Sequence, residues 1–296
     1  MGIDVSLKQK GLFKKEIDFS LLETVAEDLS LVIATSDRYF RLKEYDKEQA
    51  LTETTFLIYD PNLLSRGFTL DILKNKHDCE LRQTYYCSDN DLRKFFSFIK
   101  NLAKKLKITS YEKDGELLPL SDIPTRIEKE IAFNRRTLVS QFRDNEHPNL
   151  MLYPVMNPFS VEPATIEALL QMNEEQAMEY WTRHLHEKQS IDYFYAVPLF
   201  YKTNEGTLIA RYALIENVFT VLPKEPYVPF GFDFETEDIQ EFQISLISDK
   251  GEGILVEIDF EQLWNYFPLE KLNVYDARSV FVEVTSDDMI ALLNSL

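Results

Sequence analysis

Residues 191–223, IDYFYAVPLFYKTNEGTLIARYALIENVFTVLP, hold two long apolar runs joined by a short polar segment, Lys202 to Thr207. Asn204 and Gly206 in that segment are turn formers, so the stretch reads as a β-hairpin. Counting by twos puts Tyr193, Tyr195, Val197, Leu199 and Tyr201 on one face of the first strand, and Phe194, Ala196, Pro198 and Phe200 on the other. In the second run Leu208, Ala210, Tyr212 and Leu214 oppose Ile209, Ala213 and Ile215, with Arg211 the charged exception. A strand pair that is apolar on both faces has to be covered on both, by helices or a second sheet. Pro198 has no N–H for a ladder and predicts a bulge or a sheet edge.

The rest of the chain is long enough to supply that cover. At 296 residues it buries roughly 75% of its unfolded surface and needs no metal or disulfide staple. A content of 45% hydrophobic and 28% charged residues with 8 Gly and 12 Pro excludes a disordered chain. Alternation predicts strands at Ile3 to Leu7, Leu31 to Thr35, Thr54 to Tyr59, Phe68 to Leu73 and Glu80 to Tyr86. Ser20 with Glu23 predicts a capping-box helix start. Leu92, Phe95, Phe96, Ile99, Leu102, Ala103 and Leu106 form one helical stripe, started by Ser88 with Asp91. Asp114-Gly115 predicts a hairpin, and helices follow at Thr125 to Phe142, Pro163 to Gln171 and Glu174 to Lys188. Residues 144–163 carry four prolines and read as a long irregular segment, a pocket cover or an interdomain crossing. Beyond the central hairpin, strands fall at Phe242 to Ile247, Ile254 to Ile258 and Val280 to Val284. Asp259 starts a short helix, and Thr285 with Asp288 caps a final one. The expectation is an α+β fold of two lobes, residues 1–122 and 123–296, with mixed or antiparallel sheets. The strand, cap and helix of 80–106 echo those of 279–293, the pattern a weak internal duplication would leave.

Charge is uneven. The formal net charge is −18, and Pro223 to Leu296 holds 16 Asp and Glu against 4 Lys and Arg, whereas Arg93 to Arg143 holds 12 basic against 6 acidic residues. The acidic C-terminal part disfavours nucleic acid and anionic lipid. The face of the 92–106 helix that bears Arg93, Lys94, Lys100, Lys104, Lys105 and Lys107 reads as solvated, because its aromatics lie on the apolar stripe rather than among the lysines. No apolar run is as long as a membrane span, and no signal-peptide pattern opens the chain. Met1-Gly2-Ile3-Asp4-Val5-Ser6 matches the short myristoylation pattern, though a first strand accounts for it. A cytoplasmic protein is expected. Cys79 and Cys87 sit at opposite ends of one predicted strand, roughly 26 Å apart, and should be free thiols.

Neither a phosphate loop, a dinucleotide fingerprint nor a nucleophile elbow occurs in the sequence. His184 and His186 are two apart on a predicted helix and point away from each other, which does not suit one metal ion. His77 and His147 fall in loops. Asp233, Glu235, Glu237, Asp238 and Glu241 read as a solvated acidic rim. No catalytic, cofactor or metal residue is therefore assigned.

Gln189-Ser190-Ile191-Asp192-Tyr193-Phe194-Tyr195-Ala196, with Pro198, Phe200 and Val221-Leu222-Pro223-Lys224-Glu225-Pro226, resembles a bacterial family of about this length classed as a domain of unknown function. The strand and helix around Ser88 to Leu106 are similar to that family too. The resemblance spans nearly the whole chain and implies a bacterial cytosolic protein without a known activity. Two functions are then expected. The first is a noncatalytic interaction or regulatory protein whose acidic C-terminal part meets a basic protein surface. The alternative is an enzyme or small-molecule binder with a pocket near 191–223 that draws on Asp192, Tyr193, Arg211 and Glu216.

Overall fold

The computed structural model describes residues 2–34, 51–52, 55–144, 150–229, 234–251 and 253–295. It is an α+β structure whose chain divides into two compact units, Met1–Ser190 and Ile191–Leu296. Among the described residues no helix is long and apolar enough to cross a membrane.

Unit 1 is built on a seven-stranded sheet. Its strands are β1 (Gly2–Leu7), β2 (Ser30–Ala34), β3 (Thr55–Tyr59), β4 (Phe68–Ile72), β5 (Cys79–Thr84), β6 (Ser110–Lys113) and β7 (Glu116–Pro119), in the order β2-β3-β4-β5-β1-β6-β7. Every neighbouring pair is antiparallel. Because β1 runs against both β5 and β6, those two run the same way, and the helix between them makes a split β-α-β unit. Alternation sets the faces: Ile3, Val5 and Leu7 of β1 and Cys79, Leu81 and Gln83 of β5 are buried, while Asp4, Glu80 and Arg82 are exposed.

The buried face receives α1 (Phe19–Ala26) and α2 (Asp89–Lys105). Helix α2 presents the expected stripe, with Leu92, Phe95, Phe96, Ile99, Leu102 and Ala103 fully buried, and it adds Phe98. The Phe68 ring meets Phe95 and Phe98 edge-on at 5.4 and 5.5 Å, geometry favoured by the ring quadrupole. Helix α1 is capped by Asp18, whose carboxylate accepts the Leu21 N–H at 2.7 Å, and not by the predicted Ser20. Both thiols are buried and free.

The predicted boundary between 122 and 123 does not coincide with the observed division. Helices α3 (Ile123–Asp144), α4 (Pro163–Leu170) and α5 (Glu174–Ser190) all belong to unit 1. The reason lies in the turn after β5. Asn134 of α3 accepts the Tyr86 N–H and donates to the Cys87 carbonyl, both at 2.9 Å, and Trp181 of α5 donates to the Tyr86 carbonyl at 2.9 Å. These bonds are buried, so breaking them leaves unpaired polar groups in the interior. The segment after α3 carries the short pair β8 (Met151–Leu152) and β9 (Phe159–Ser160) and is held to α5 by Gln189, which accepts from Met156 and Asn157 and donates to the Asn157 carbonyl.

Unit 2 contains two small mixed sheets around a common core. One orders β10 (Phe194–Tyr195), β13 (Thr220–Pro223) and β16 (Ser279–Val282); the other orders β11 (Leu199–Lys202), β12 (Leu208–Ile215), β14 (Glu241–Ile247) and β15 (Ile254–Asp259). The predicted hairpin is therefore only half right. Strands β11 and β12 pair antiparallel with Gly206 at φ 95° in the turn, but the chain changes sheets around Pro198, and Phe194 and Tyr195 instead run parallel to β13. Proline breaks the ladder there, and β11 is left as an edge with Leu199 and Tyr201 44% exposed. Helix α6 (Leu263–Tyr266) follows a 3₁₀ turn, and α7 (Ser286–Leu293) closes the chain. The echo with unit 1 stops at the strand, cap and helix, since β5 is interior to an antiparallel sheet and β16 is the edge of a mixed one.

Candidate functional site

The pairing of β1 with β6 puts two lysine-bearing segments side by side. Ser6 lies opposite Glu112, so the chain leaving β1 at Lys8 passes the chain entering β6 from Lys105 to Ser110. Each segment is fixed by its own local chemistry. On the first, Gln9 is buried; its Oε1 accepts the Lys15 N–H at 2.8 Å, and its Nε2 donates to the carbonyls of Lys15 and His77 at 2.7 and 2.6 Å. One side chain thus closes the loop Lys10 to Lys14. Gly11 takes φ 96°, a conformation that costs glycine nothing, and Leu12 and Phe13 stand 97% and 100% exposed at the tip.

On the second segment α2 ends in a Schellman motif, with the Ile108 N–H on the Ala103 carbonyl at 2.8 Å and the Lys107 N–H on the Lys104 carbonyl at 3.2 Å. The residue in the left-handed position is Lys107, at φ 58°, where glycine is the usual choice.

Between the segments lies a cavity of about 400 Å³. Five lysines line it, Lys8, Lys10, Lys15, Lys105 and Lys107, with Phe13, Thr109 and Ser110, and none of its lining residues is acidic. Lys8 is bonded to Glu112 at 2.8 Å, which holds its ammonium above the ordinary lysine range. Among the described residues the other four make no ion pair. The concavity therefore offers uncompensated positive charge and two hydroxyls. It contains no histidine, thiol or carboxylate to exchange a proton near neutral pH.

A second, more open cavity of about 480 Å³ carries one carboxylate among three cations, Lys113, Lys129 and Arg136. That carboxylate, Glu130, is buried against Lys113 at 3.4 Å and Tyr85 at 3.3 Å. Burial and the neighbouring carboxylate push the Tyr85 phenol up.

The residues expected to share a pocket in unit 2 are not brought together. Asp192 is exposed. Tyr193 joins its hydroxyl to that of Tyr275 at 2.6 Å and packs on Phe281. Arg211 is paired with Glu257 at 2.7 Å and bonded to Gln243, and Glu216 is buried beside Ser248. In the acidic segment Glu235, Glu237, Asp238 and Glu241 are exposed, with Asp238 capping the Glu235 N–H and Glu241 bonded to Gln243; Asp233 lies outside the described residues, as does His147. The two helix histidines have separate surroundings. His184 is stacked on Trp181 and Tyr180, and burial lowers its pKa, while His186 Nδ1 accepts the Leu64 N–H at 3.1 Å. Burial also pushes both thiols up, away from the reactive thiolate.

The lysines of 104–107 were visible in the sequence as part of a solvated face. What was missed is that Phe13 and three more lysines come to them from the other end of the lobe. The one local signal was Lys8-Gln-Lys-Gly-Leu-Phe-Lys-Lys15 itself, four lysines in eight residues around an apolar pair. No curated protein and no solved structure matches the chain. The family model described as Domain of unknown function (DUF4299) matches residues 2–293, and the chain belongs to that family.

Proposed function

We propose that the protein is a noncatalytic, cytosolic binding protein whose basic concavity in unit 1 takes an anionic, phosphate-bearing partner. One observation carries the reading: four lysines that make no ion pair among the described residues converge on one cavity in a chain of net charge −18. Elsewhere that much acid would be expected to neutralise exposed lysines, and unit 2 alone holds 19 Asp and Glu against 6 Lys and Arg. The earlier expectation of a basic partner for the acidic C-terminal part has charge alone behind it, since two of its exposed carboxylates already serve local bonds.

Calorimetric titration with inorganic tripolyphosphate tests the proposal. Affinity should fall as salt rises from about 0.01 to 0.1 M, because the screening length shrinks from roughly 30 to 10 Å. Lys105→Glu with Lys107→Glu should abolish binding, whereas Lys100→Glu, on the same helix outside the cavity, should leave most of it. Equal affinity in all three proteins would sink the proposal.

A further inference from the structure

This inference deepens the binding role just proposed and depends on it: we infer that the anionic partner is the surface of a lipid bilayer, met by Leu12 and Phe13 at the interface with the surrounding lysines on headgroup phosphates. The juxtaposition that motivates it is a fully exposed apolar pair beside the cavity's lysines. Leu12 and Phe13 are adjacent, bulky and 97% and 100% exposed. They sit at the tip of a loop whose base Gln9 clamps by three side-chain bonds, so the tip is presented rather than folded back. Lys10 and Lys14 bracket the pair in sequence, and Lys15, Lys105 and Lys107 stand behind it around the cavity that Phe13 also lines.

Those parts suit a membrane interface for physical reasons. A convex apolar tip needs no preformed pocket in a bilayer, which closes around whatever enters the headgroup and acyl boundary. Lysine stems lie along apolar surface while their ammonium groups stay with the phosphates. A soluble polyanion would use the lysines and leave Leu12 and Phe13 in water. A nucleic acid strand would use Phe13 as a stacking platform but gain nothing from Leu12, which has no π face. The lack of a spanning helix among the described residues limits the contact to the interface. The sequence-based expectation of no membrane contact drew on the acidic C-terminal part and on the lack of a long apolar run, and neither bears on this loop.

Co-sedimentation with phosphatidylcholine vesicles containing 30 mol% phosphatidylserine, and with pure phosphatidylcholine vesicles, tests the inference alongside tripolyphosphate titration. The full chain should bind the anionic vesicles and not the neutral ones. Each lysine of the group changed to Ala should cost about fivefold at low salt. Leu12→Ser with Phe13→Ser should weaken vesicle binding by at least about tenfold, and Leu12→Ser alone, outside the cavity lining, should leave tripolyphosphate affinity unchanged. Both side chains are fully exposed, so an unchanged melting midpoint will show that this variant stays folded. Tripolyphosphate binding without vesicle binding, or a Leu12 and Phe13 variant that binds vesicles like the parent, would overturn the membrane inference and leave the anion site standing. Tighter binding to an oligonucleotide or to an acidic peptide than to vesicles, lost on the same tip substitutions, would also overturn it. Loss of both activities in the parent would remove the anion site as well.

Discussion

Helices α2 and α7 begin with the same device and carry very different loads. Ser88 and Asp91 exchange bonds at 3.0 and 3.1 Å, and Thr285 and Asp288 do the same at 3.2 and 3.1 Å. Yet Asp91 is 3% exposed and also accepts the Arg66 N–H at 3.2 Å, while Thr285 is exposed and Asp288 is only half-buried. Burial raises the Asp91 pKa against the bonds it receives from Ser65, Arg66 and Ser88. Helix α2 runs 17 residues and buries its stripe completely; α7 runs 8 residues and buries Met289 and Leu292 while Ile290 is 56% exposed. An identical local signal therefore sets where a helix starts, and its surroundings set what that start is worth.

The largest test of this contrast is in the stripe. Phe96→Ala should cost about 3 to 5 kcal/mol, since the site is closed on all sides and cannot collapse around the lost ring. Lys100→Ala on the exposed face should stay within about 0.5 kcal/mol. Chemical denaturation of the two variants reads the difference, and equal midpoints would refute the facing of α2.

The caps come next. Asp91→Ala should cost about 2 to 4 kcal/mol, because it removes the cap and takes away the acceptor of the Ser65 hydroxyl and the Arg66 N–H. Asp288→Ala should cost about 1 kcal/mol, with water replacing what is lost. If the two losses match, burial adds nothing to the box and the comparison fails.

A smaller effect separates stability from binding at the other end of α2. Lys107→Gly relieves the left-handed strain and should raise stability by about 1 kcal/mol, while weakening tripolyphosphate binding. A variant that gains stability and keeps full affinity would remove Lys107 from the site.

Much of the architecture was legible in the residues. The facing of α2, the capping boxes of α2 and α7, the Asp114-Gly115 turn and most strand positions followed from spacing and turn chemistry. Apart from the start of α1, where Asp18 and not Ser20 is the cap, the failures share one character. Pro198 predicts a bulge or a sheet edge, and β11 is an edge, but proline alone does not say which sheet takes the residues before it. The division at 122 failed because Asn134 and Trp181 bond the turn at Tyr86 from 48 and 95 residues away. Asp192, Tyr193, Arg211 and Glu216 are near in sequence, yet Asp192 is exposed and the other three take different partners, Tyr275, Glu257 and Ser248.

What the sequence determined by itself was most of the elements, the buried stripe of α2 and the starts of α2 and α7, because helical and strand periodicity and caps act within a few residues. What only the tertiary structure decided was the candidate site. The Lys8 to Lys15 loop meets Lys105 and Lys107 because β1 inserts between β5 and β6. That pairing joins residues about a hundred positions apart, and a strand that alternates in the same way as its neighbours carries no local mark of which partners it will choose.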